Sequence, residues 1–562
     1  MLVALSLCLY AGTLGHGFPF DDEMHVLRDL DVRRLDGLVR AFREPTWPGN
    51  LYRPLVRSSY VLTHAAFGLH PLAYHATNVA LNAIVVALAY LLLRRLVDEG
   101  WAFAAAVIFA VHPAHVEVVA SVANRTELLA AALGLASLLV LLGPAGRGAR
   151  TRPRAGGSRL ALAAALFLGA TLSKESAFVF LPLAALCLRA ERGGEAGGWR
   201  RSAPALAALG AAAAISLGLR FHALGGGLPS AVGIPAVDNP LVALPAWERM
   251  ARATVLLGKY ALLVAVPLAP SADYSLGTPA VDGSLASGAG ALQLAALLAL
   301  VGGTVFALRR RHPAGVLGLW FFVAFALTAN VAFPVGTVFA DRLAYLPSLG
   351  LCGAIAWGLA RLRSRPVRLA ATAGLVAVLA LRSLTYAAVW RDNASLFAYE
   401  MQTSPGSVKV QVGWAEALAR AGVHGEARRH FEAAMRIDAA YPNAPFGLAV
   451  LALEEGRREE GVAWLERTLA VDPGHVTSLV LLGRLALRAG RSEEAAGLFA
   501  RALASAPGSF DARLGLLAVA LERGELGRAS RLRDELVRRD PANPELAVLA
   551  RQLDRDAAAG EG

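Results

Sequence analysis

Eleven apolar segments recur through the first 390 residues, at roughly 1–17, 73–93, 101–119, 126–142, 160–174, 176–188, 203–222, 288–308, 315–333, 345–360 and 369–389. A membrane-spanning helix needs about 20 largely apolar residues, so the pattern predicts a polytopic helical bundle. The segments at 160–174 and 176–188 are short, and a broken or partly re-entrant pair is expected there. With 56% hydrophobic residues and a mean hydropathy of +0.48 over 562 residues, the chain is too apolar for a soluble multidomain protein. Met1 opens directly in apolar sequence and no cleavage site follows Phe20, so an uncleaved first helix is expected.

The formal charge of +12 raises the question of nucleic acid. Residues 391–562 carry 22 Lys+Arg and 24 Asp+Glu, whereas the first 390 carry 33 and 19. The basic excess therefore lies in the apolar part, where membrane topology accounts for it; no nucleic-acid partner is expected. Arginines gather between segments: Arg94 and Arg95; Arg147, Arg150, Arg152, Arg154 and Arg159; Arg189, Arg192, Arg200 and Arg201; Arg309 to Arg311; Arg361, Arg363, Arg365 and Arg368. These loops are read as cytoplasmic. Eleven crossings then place the loop at 18–72, the turns near 120 and 175, residues 223–287 and 334–344, and everything after 390 on the other side. That count requires residues 250–267, with Arg249, Arg252 and Lys259, to lie at the interface; whether they span is left open. Only three of the 55 basic residues are lysine, a composition that resembles GC-rich bacterial coding. The expected location is a bacterial inner membrane. Cys8, Cys187 and Cys352 lie within apolar segments and read as small buried hydrophobes.

After residue 390 the period changes. Gly422, Gly456, Gly490 and Gly524 recur every 34 residues, as do Pro473, Pro507 and Pro541. Ala427, Gly461, Ala495 and Ala529 fill a small position, and Phe431, Leu465 and Phe499 a large one. This is the tetratricopeptide (TPR) pattern of paired helices. Expected boundaries are a membrane domain at 1–390, a junction at 391–407, four repeats at 408–544 and a tail at 545–562. The fold class is all-α. A TPR stack implies a protein or peptide partner and no particular reaction.

Polar residues in a membrane protein mark its chemistry, because each is costly unless it lines a cavity. The first loop opens with Phe18-Pro19-Phe20-Asp21-Asp22-Glu23 and ends in Tyr52-Arg53-Pro54-Leu55. His75 and Asn78, His112-Pro113-Ala114-His115-Val116-Glu117, Asn124-Arg125-Thr126-Glu127, Ser173-Lys174-Glu175-Ser176 and Asp341-Arg342 all fall at that same boundary by the topology above. Adjacent carboxylates supply a base and an electrostatic partner, and arginine's fork suits phosphate. Acidic Asp21 or Asp22 with cationic Arg53, Arg125, Lys174 and Arg342 therefore fits transfer from a phosphorylated donor to a hydroxyl, with a lipid-phosphate donor keeping its tail in the bilayer. His112, His115 and Glu117 invite a metal reading, which the intervening proline disfavours. No metal site or cofactor is assigned, and divalent-metal dependence is left open.

Taken in order, these motifs resemble the transmembrane-and-TPR-repeat protein O-mannosyltransferases and their bacterial relatives, within the GT-C class of glycosyltransferases. Trp390-Arg391-Asp392-Asn393 is similar to that family's junction. The resemblance implies a GT-C-like bundle followed by a TPR α-solenoid, and an inverting transferase that uses a polyprenyl-phosphate sugar on the extracytoplasmic face. It implies Asp21 and Asp22 as the acidic motif, one acting as base, and Arg53, Lys174 and Arg342 as phosphate ligands, with His75, Arg125 and Glu175 as further substrate-binding residues. The sequence departs from the family where Asp341 replaces the usual Glu and Asn82 the usual His. A noncatalytic membrane TPR scaffold and a lipid-linked sugar flippase are the alternatives.

Overall fold

The computed structural model describes residues 1–45, 51–143, 156–191, 198–226, 233–267, 269–278, 283–285 and 287–560. Arg147, Arg150, Arg152, Arg154 and Arg192 of the expected arginine loops lie outside the described residues. The chain divides into two compact units, Met1–Pro405 and Gly406–Gly562. Each is built from helices.

In the first unit, six helices are long and apolar enough to cross a membrane: Pro71–Leu96, Arg125–Leu142, Arg200–Ala223, Gly288–Arg309, Asp341–Ala360 and Arg365–Val389. A seventh crossing forms if Glu99–Ala110 and Pro113–Ala120, bent by 57° at the break between them, make one span. The remaining apolar segments of the expected eleven are helical but short, at Leu2–Gly15, Gly157–Ser173, Phe180–Glu191 and Pro313–Phe325. Three of the shortened helices stop where polar motifs begin. Gly157–Ser173 ends at Lys174, Glu99–Ala110 ends before His112-Pro113, and the first helix gives way to Pro19-Phe20-Asp21. Proline supplies no N–H, and side chains compete for the freed backbone groups, so the helical ladder ends there. Ala246–Ala265 is a 20-residue helix carrying Glu248, Arg249, Arg252 and Lys259 and is not among the six.

The bundle closes through small residues. A Cβ on Gly350 would meet the Leu317 carbonyl oxygen at 2.2 Å, so Tyr345–Ala360 and Pro313–Phe325 touch backbone to backbone. Such close approach is how helices gain packing energy where apolar burial gives little.

The second unit is a series of helix pairs. Val408–Arg420 pairs with His424–Ile437, Asn443–Glu454 with Arg458–Val471, Val476–Arg488 with Ser492–Ser505, and Phe510–Glu522 with Leu526–Arg539. The recurring glycines sit at φ +77, +78, +73 and +69, a left-handed conformation that favours glycine. After each, the next N–H returns to a carbonyl five residues back, as Val423 does to Leu418 and Arg491 to Ala486. That bond satisfies carbonyls that the helix end leaves orphaned. Phe499 is fully buried, and its ring lies where a Cβ on Gly483 or Gly515 would stand, at 2.7 and 2.4 Å. The expected tail at 545–562 differs: Pro544–Gly560 is a helix that buries Leu546 and Leu553 against the preceding pair. A repeat stack needs such a cap to cover its last apolar face.

Two glycine replacements should act in opposite directions. Gly515→Ala drives a methyl into Phe499 and is expected to destabilise the array by about 1–3 kcal/mol. Gly497→Ala, exposed in the middle of Ser492–Ser505 with open space around it, is expected to stabilise by about 0.5–1 kcal/mol. Urea titration of the full chain in detergent, followed by circular dichroism, measures both.

Candidate functional site

The acidic motif is held by residues far away in sequence. Phe20 adopts φ +56, a strained conformation for a non-glycine residue. Its N–H donates to Asn393 Oδ1 at 2.7 Å, while Asn393 Nδ2 donates to Glu23 Oε1 at 3.0 Å. Gly17 N–H donates to the Arg391 carbonyl at 2.9 Å. The junction residues therefore fix the turn that presents Asp21 and Asp22.

The two aspartates do different things. Asp22 is fully buried and accepts three hydrogen bonds, from Ser121 Oγ at 2.9 Å, Val122 N at 2.9 Å and Ala123 N at 2.7 Å. Burial pushes its carboxyl up to about 7, and the bonds from Ala123, Val122 and Ser121 pull against that rise. Asp21 is exposed and makes no hydrogen bond among the described residues. Its charge is felt by His25, Glu117 and Arg342.

The structure brings Arg53, Lys174, Glu175 and Arg342 together. Lys174 senses the charges of both Arg53 and Arg342. Each cation holds a carboxylate. Arg53 donates to Glu175 through Nη2 at 2.9 Å and Nε at 3.2 Å. Lys174 Nζ donates to Glu127, and Arg342 Nη1 to Glu117 Oε1 at 2.5 Å. Glu117 also accepts from the Arg342 backbone N–H at 2.9 Å. Glu175 is shared with Arg220. Burial alone would raise the Glu175 carboxyl, but Arg53 and Arg220 hold it down to about 2. Pairing leaves donors over: a guanidinium carries five N–H groups and an ammonium three. Arg53 Nη1, with Nε and Nη2 of Arg342, make no hydrogen bond among the described residues, and the two arginine side chains keep 22% and 23% of their surface exposed.

Arg125 and His75 do not join this cluster. Arg125 is fully buried and donates to Asn78 Oδ1, Ser59 Oγ, Thr63 Oγ1 and the Tyr74 carbonyl, with its guanidinium 4.8 Å from the Tyr60 ring. It is a strut between the first loop and the Pro71–Leu96 helix. His75 Nε2 donates to the Gly17 carbonyl at 2.8 Å and its ring stacks on Phe18. His112 and His115 likewise face protein atoms: His112 Nε2 donates to the Val264 carbonyl, and His115 Nδ1 to that of Phe109. Among the described residues no group of three His, Cys, Asp or Glu stands close enough to hold a metal ion. Asn82, at the family's histidine position, donates to Ser6 Oγ and accepts from the Tyr345 hydroxyl at 2.6 Å.

Two cavities flank the cations. One runs from Glu127 between Ala130, Ala131, Phe180, Ala324 and Leu346, and most of its lining residues are apolar. The other is lined by His25, Asp29, Arg53, Tyr60 and Thr126. Sequence reading missed His25, because a lone histidine in a charged loop carries no periodic or spacing signal.

A family model described as tetratricopeptide repeat matches residues 418–482 and 486–553. The Caenorhabditis elegans protein O-mannosyl-transferase F38B6.6 is 26% identical over 466 residues, covering 78% of this chain and 63% of that protein. Drosophila melanogaster protein O-mannosyl-transferase Tmtc3 is 26% identical over 510 residues (77% and 54%), and Homo sapiens protein O-mannosyl-transferase TMTC1 is 27% identical over 516 (80% and 56%). The chain is similar to protein O-mannosyltransferases. It spans between half and two thirds of the length of these curated relatives. Together with its apolar helices, the similarity makes it an integral membrane protein with TPR repeats.

The division between the aspartates has a measurable consequence. Asp22→Asn can accept at only one atom and sets an amide against a backbone N–H, a cost of about 1–3 kcal/mol. Asp21→Asn removes no hydrogen bond. The thermal midpoint of the detergent-solubilised chain is expected to fall by several degrees for Asp22→Asn and to stay within a degree or so of wild type for Asp21→Asn.

Proposed function

We propose that this chain is a membrane glycosyltransferase that moves a sugar from a polyprenyl-phosphate donor to an acceptor hydroxyl, with inversion, in the manner of a GT-C enzyme. The observation that carries the reading is a free, exposed carboxylate, Asp21, whose charge reaches Arg342, together with Arg342, Lys174 and Arg53, which keep N–H donors to spare. A base next to an anion site is what transfer from a phosphorylated donor needs.

In this mechanism Asp21 takes the proton of the acceptor hydroxyl as its oxygen attacks the anomeric carbon. The bond from that carbon to the phosphate oxygen breaks, and the lipid phosphate leaves with the electron pair. Arg53, Lys174 and Arg342 stabilise the charge on the leaving oxygen. Asp22 is not the base; it is a positioning residue, whose three hydrogen bonds fix residues 121–123 and the turn that carries Asp21. Glu117 and Glu175 keep Arg342 and Arg53 in place. The apolar cavity beside Glu127 suits the first units of a polyprenyl tail. Names of the relatives point to mannose and to protein hydroxyls, and the TPR unit is suited to recruit such an acceptor. An extracytoplasmic site is the reading that the arginine-rich loops of the sequence support.

Asp21→Asn is expected to lower transfer by two to four orders of magnitude, the range for loss of a general base, while the protein still inserts and accumulates. Mass spectrometry of extracytoplasmic proteins and glycans from a host carrying wild type, Asp21→Asn or a deletion tests this. Glycans identical in all three would instead favour a scaffold that has kept the fold.

A further inference from the structure

The polar cavity beside the cations contains a histidine that the mechanism above does not use. His25 lies in a single turn of π-helix, Glu23–Leu27, closed by Arg28 N–H to the Glu23 carbonyl at 2.9 Å. Single π-helical turns are rare and recur at functional sites. Arg57 staples the loop that follows: it donates to Asp29 at 2.9 and 3.0 Å and to Asp31 at 2.7 Å. The His25 ring is thereby set on the cavity wall facing Arg53, Tyr60 and Thr126.

Most polar groups on that wall are already occupied. Asp29 holds Arg57, the Tyr60 hydroxyl donates to the Val122 carbonyl at 2.9 Å, and Arg53 holds Glu175. The His25 imidazole and the Thr126 hydroxyl have no hydrogen-bond partner among the described residues. In this His25 differs from His75, His112 and His115, each of which is anchored to a backbone carbonyl. An unpartnered imidazole and an unpartnered hydroxyl facing one space are suited to a ligand rich in hydroxyls. The space is bounded by Arg53 on the phosphate side and by Ala123, whose N–H is fixed by Asp22. His25 follows Asp21 by four residues and feels its charge. Burial lowers the imidazole's pKa, so the ring is neutral at physiological pH and offers one donor and one acceptor.

We propose that this cavity receives the transferred sugar and that His25, with Thr126, reads its hydroxyl groups and so sets which hexose is accepted. This rests on the glycosyltransferase reading above. The apolar cavity would then take the lipid, the three cations the phosphate between them, and the His25 cavity the sugar.

The test uses the full chain in nanodiscs, a serine- and threonine-rich peptide, and short-chain polyprenyl phosphates carrying mannose, glucose or galactose. Initial rates give kcat/KM for each donor. His25→Ala and Thr126→Val are each expected to change the ratio of kcat/KM between the preferred hexose and the other two by about tenfold, the size of one hydrogen bond. His25→Gln, which keeps a donor and an acceptor, should recover part of that ratio. A merely structural role would slow all three donors alike and lower the thermal midpoint. Unchanged ratios in a wild type that transfers would overturn the assignment and leave the transferase reading standing. A wild type that transfers none of the three overturns both.

Discussion

A carboxylate withdrawn from water at the edge of an apolar bundle has to find donors inside the protein, and Asp22 finds three on consecutive residues. Much of the membrane unit's polar architecture follows from that requirement. Ser121, Val122 and Ala123 lead into the Arg125–Leu142 helix, whose first turn carries Arg125, Thr126 and Glu127. Fixing residues 121–123 therefore fixes the strut that joins loop to bundle, one wall of the polar cavity, and the partner of Lys174. From the other direction Arg391 and Asn393 hold Gly17 and Phe20. The acidic turn is clamped by segments about 100 and 370 residues distant, and its strained Phe20 is retained because both clamps over-determine it.

The same physics shapes the cations. An isolated guanidinium or ammonium at this depth would be costly, so each is paired with a glutamate: Arg53 with Glu175, Lys174 with Glu127, Arg342 with Glu117. Pairing makes the cluster tolerable without a ligand and keeps the side chains in place. It does not exhaust them, because arginine's fork has more donors than one carboxylate engages. A phosphate entering here adds hydrogen bonds to groups whose orientation is already set, which is the condition under which electrostatic stabilisation is most effective.

How far the sequence reveals this depends on whether the information is local. The repeats are legible because glycine at φ near +70 and a small-against-large pair recur at a fixed period, and both requirements are local. Apolar segments are legible as helices, but their lengths are not: a helix ends where side chains offer its backbone another partner, and that depends on tertiary surroundings. The acidic triplet stands out, yet nothing in Asp21-Asp22 says that one is caged and the other free. Arg125 and His75 sit beside the right motifs and turn toward Tyr74 and Gly17, because direction around a helix start is set by what packs there. His25 carried no signal at all.

Asp341 and Arg342 show how far direction outweighs adjacency. They begin a turn of 3-10 helix, Asp341–Ala344, in which neighbours diverge by about a third of a turn. Arg342 reaches Glu117 and the cation cluster, while Asp341 accepts from the Tyr274 hydroxyl at 2.8 Å and the Ser271 N–H at 3.2 Å. Ser271 in turn donates to Glu400 at 2.5 Å, in the junction's own helix. The short aspartate thus ties the turn to the 271–274 loop and through it to Asn393–Thr403, away from the cations. Tyr345, at the end of the same turn, donates to Asn82, which also bonds Ser6 of the first helix. Asp341 and Asn82 both therefore belong to groups that brace this motif from behind. Arg53, Lys174 and Arg342 instead supply the charge on the facing side. A change in the bracing can be absorbed by Tyr274, Ser271 or Tyr345, whereas a change among the facing residues would alter the charge offered to the ligand.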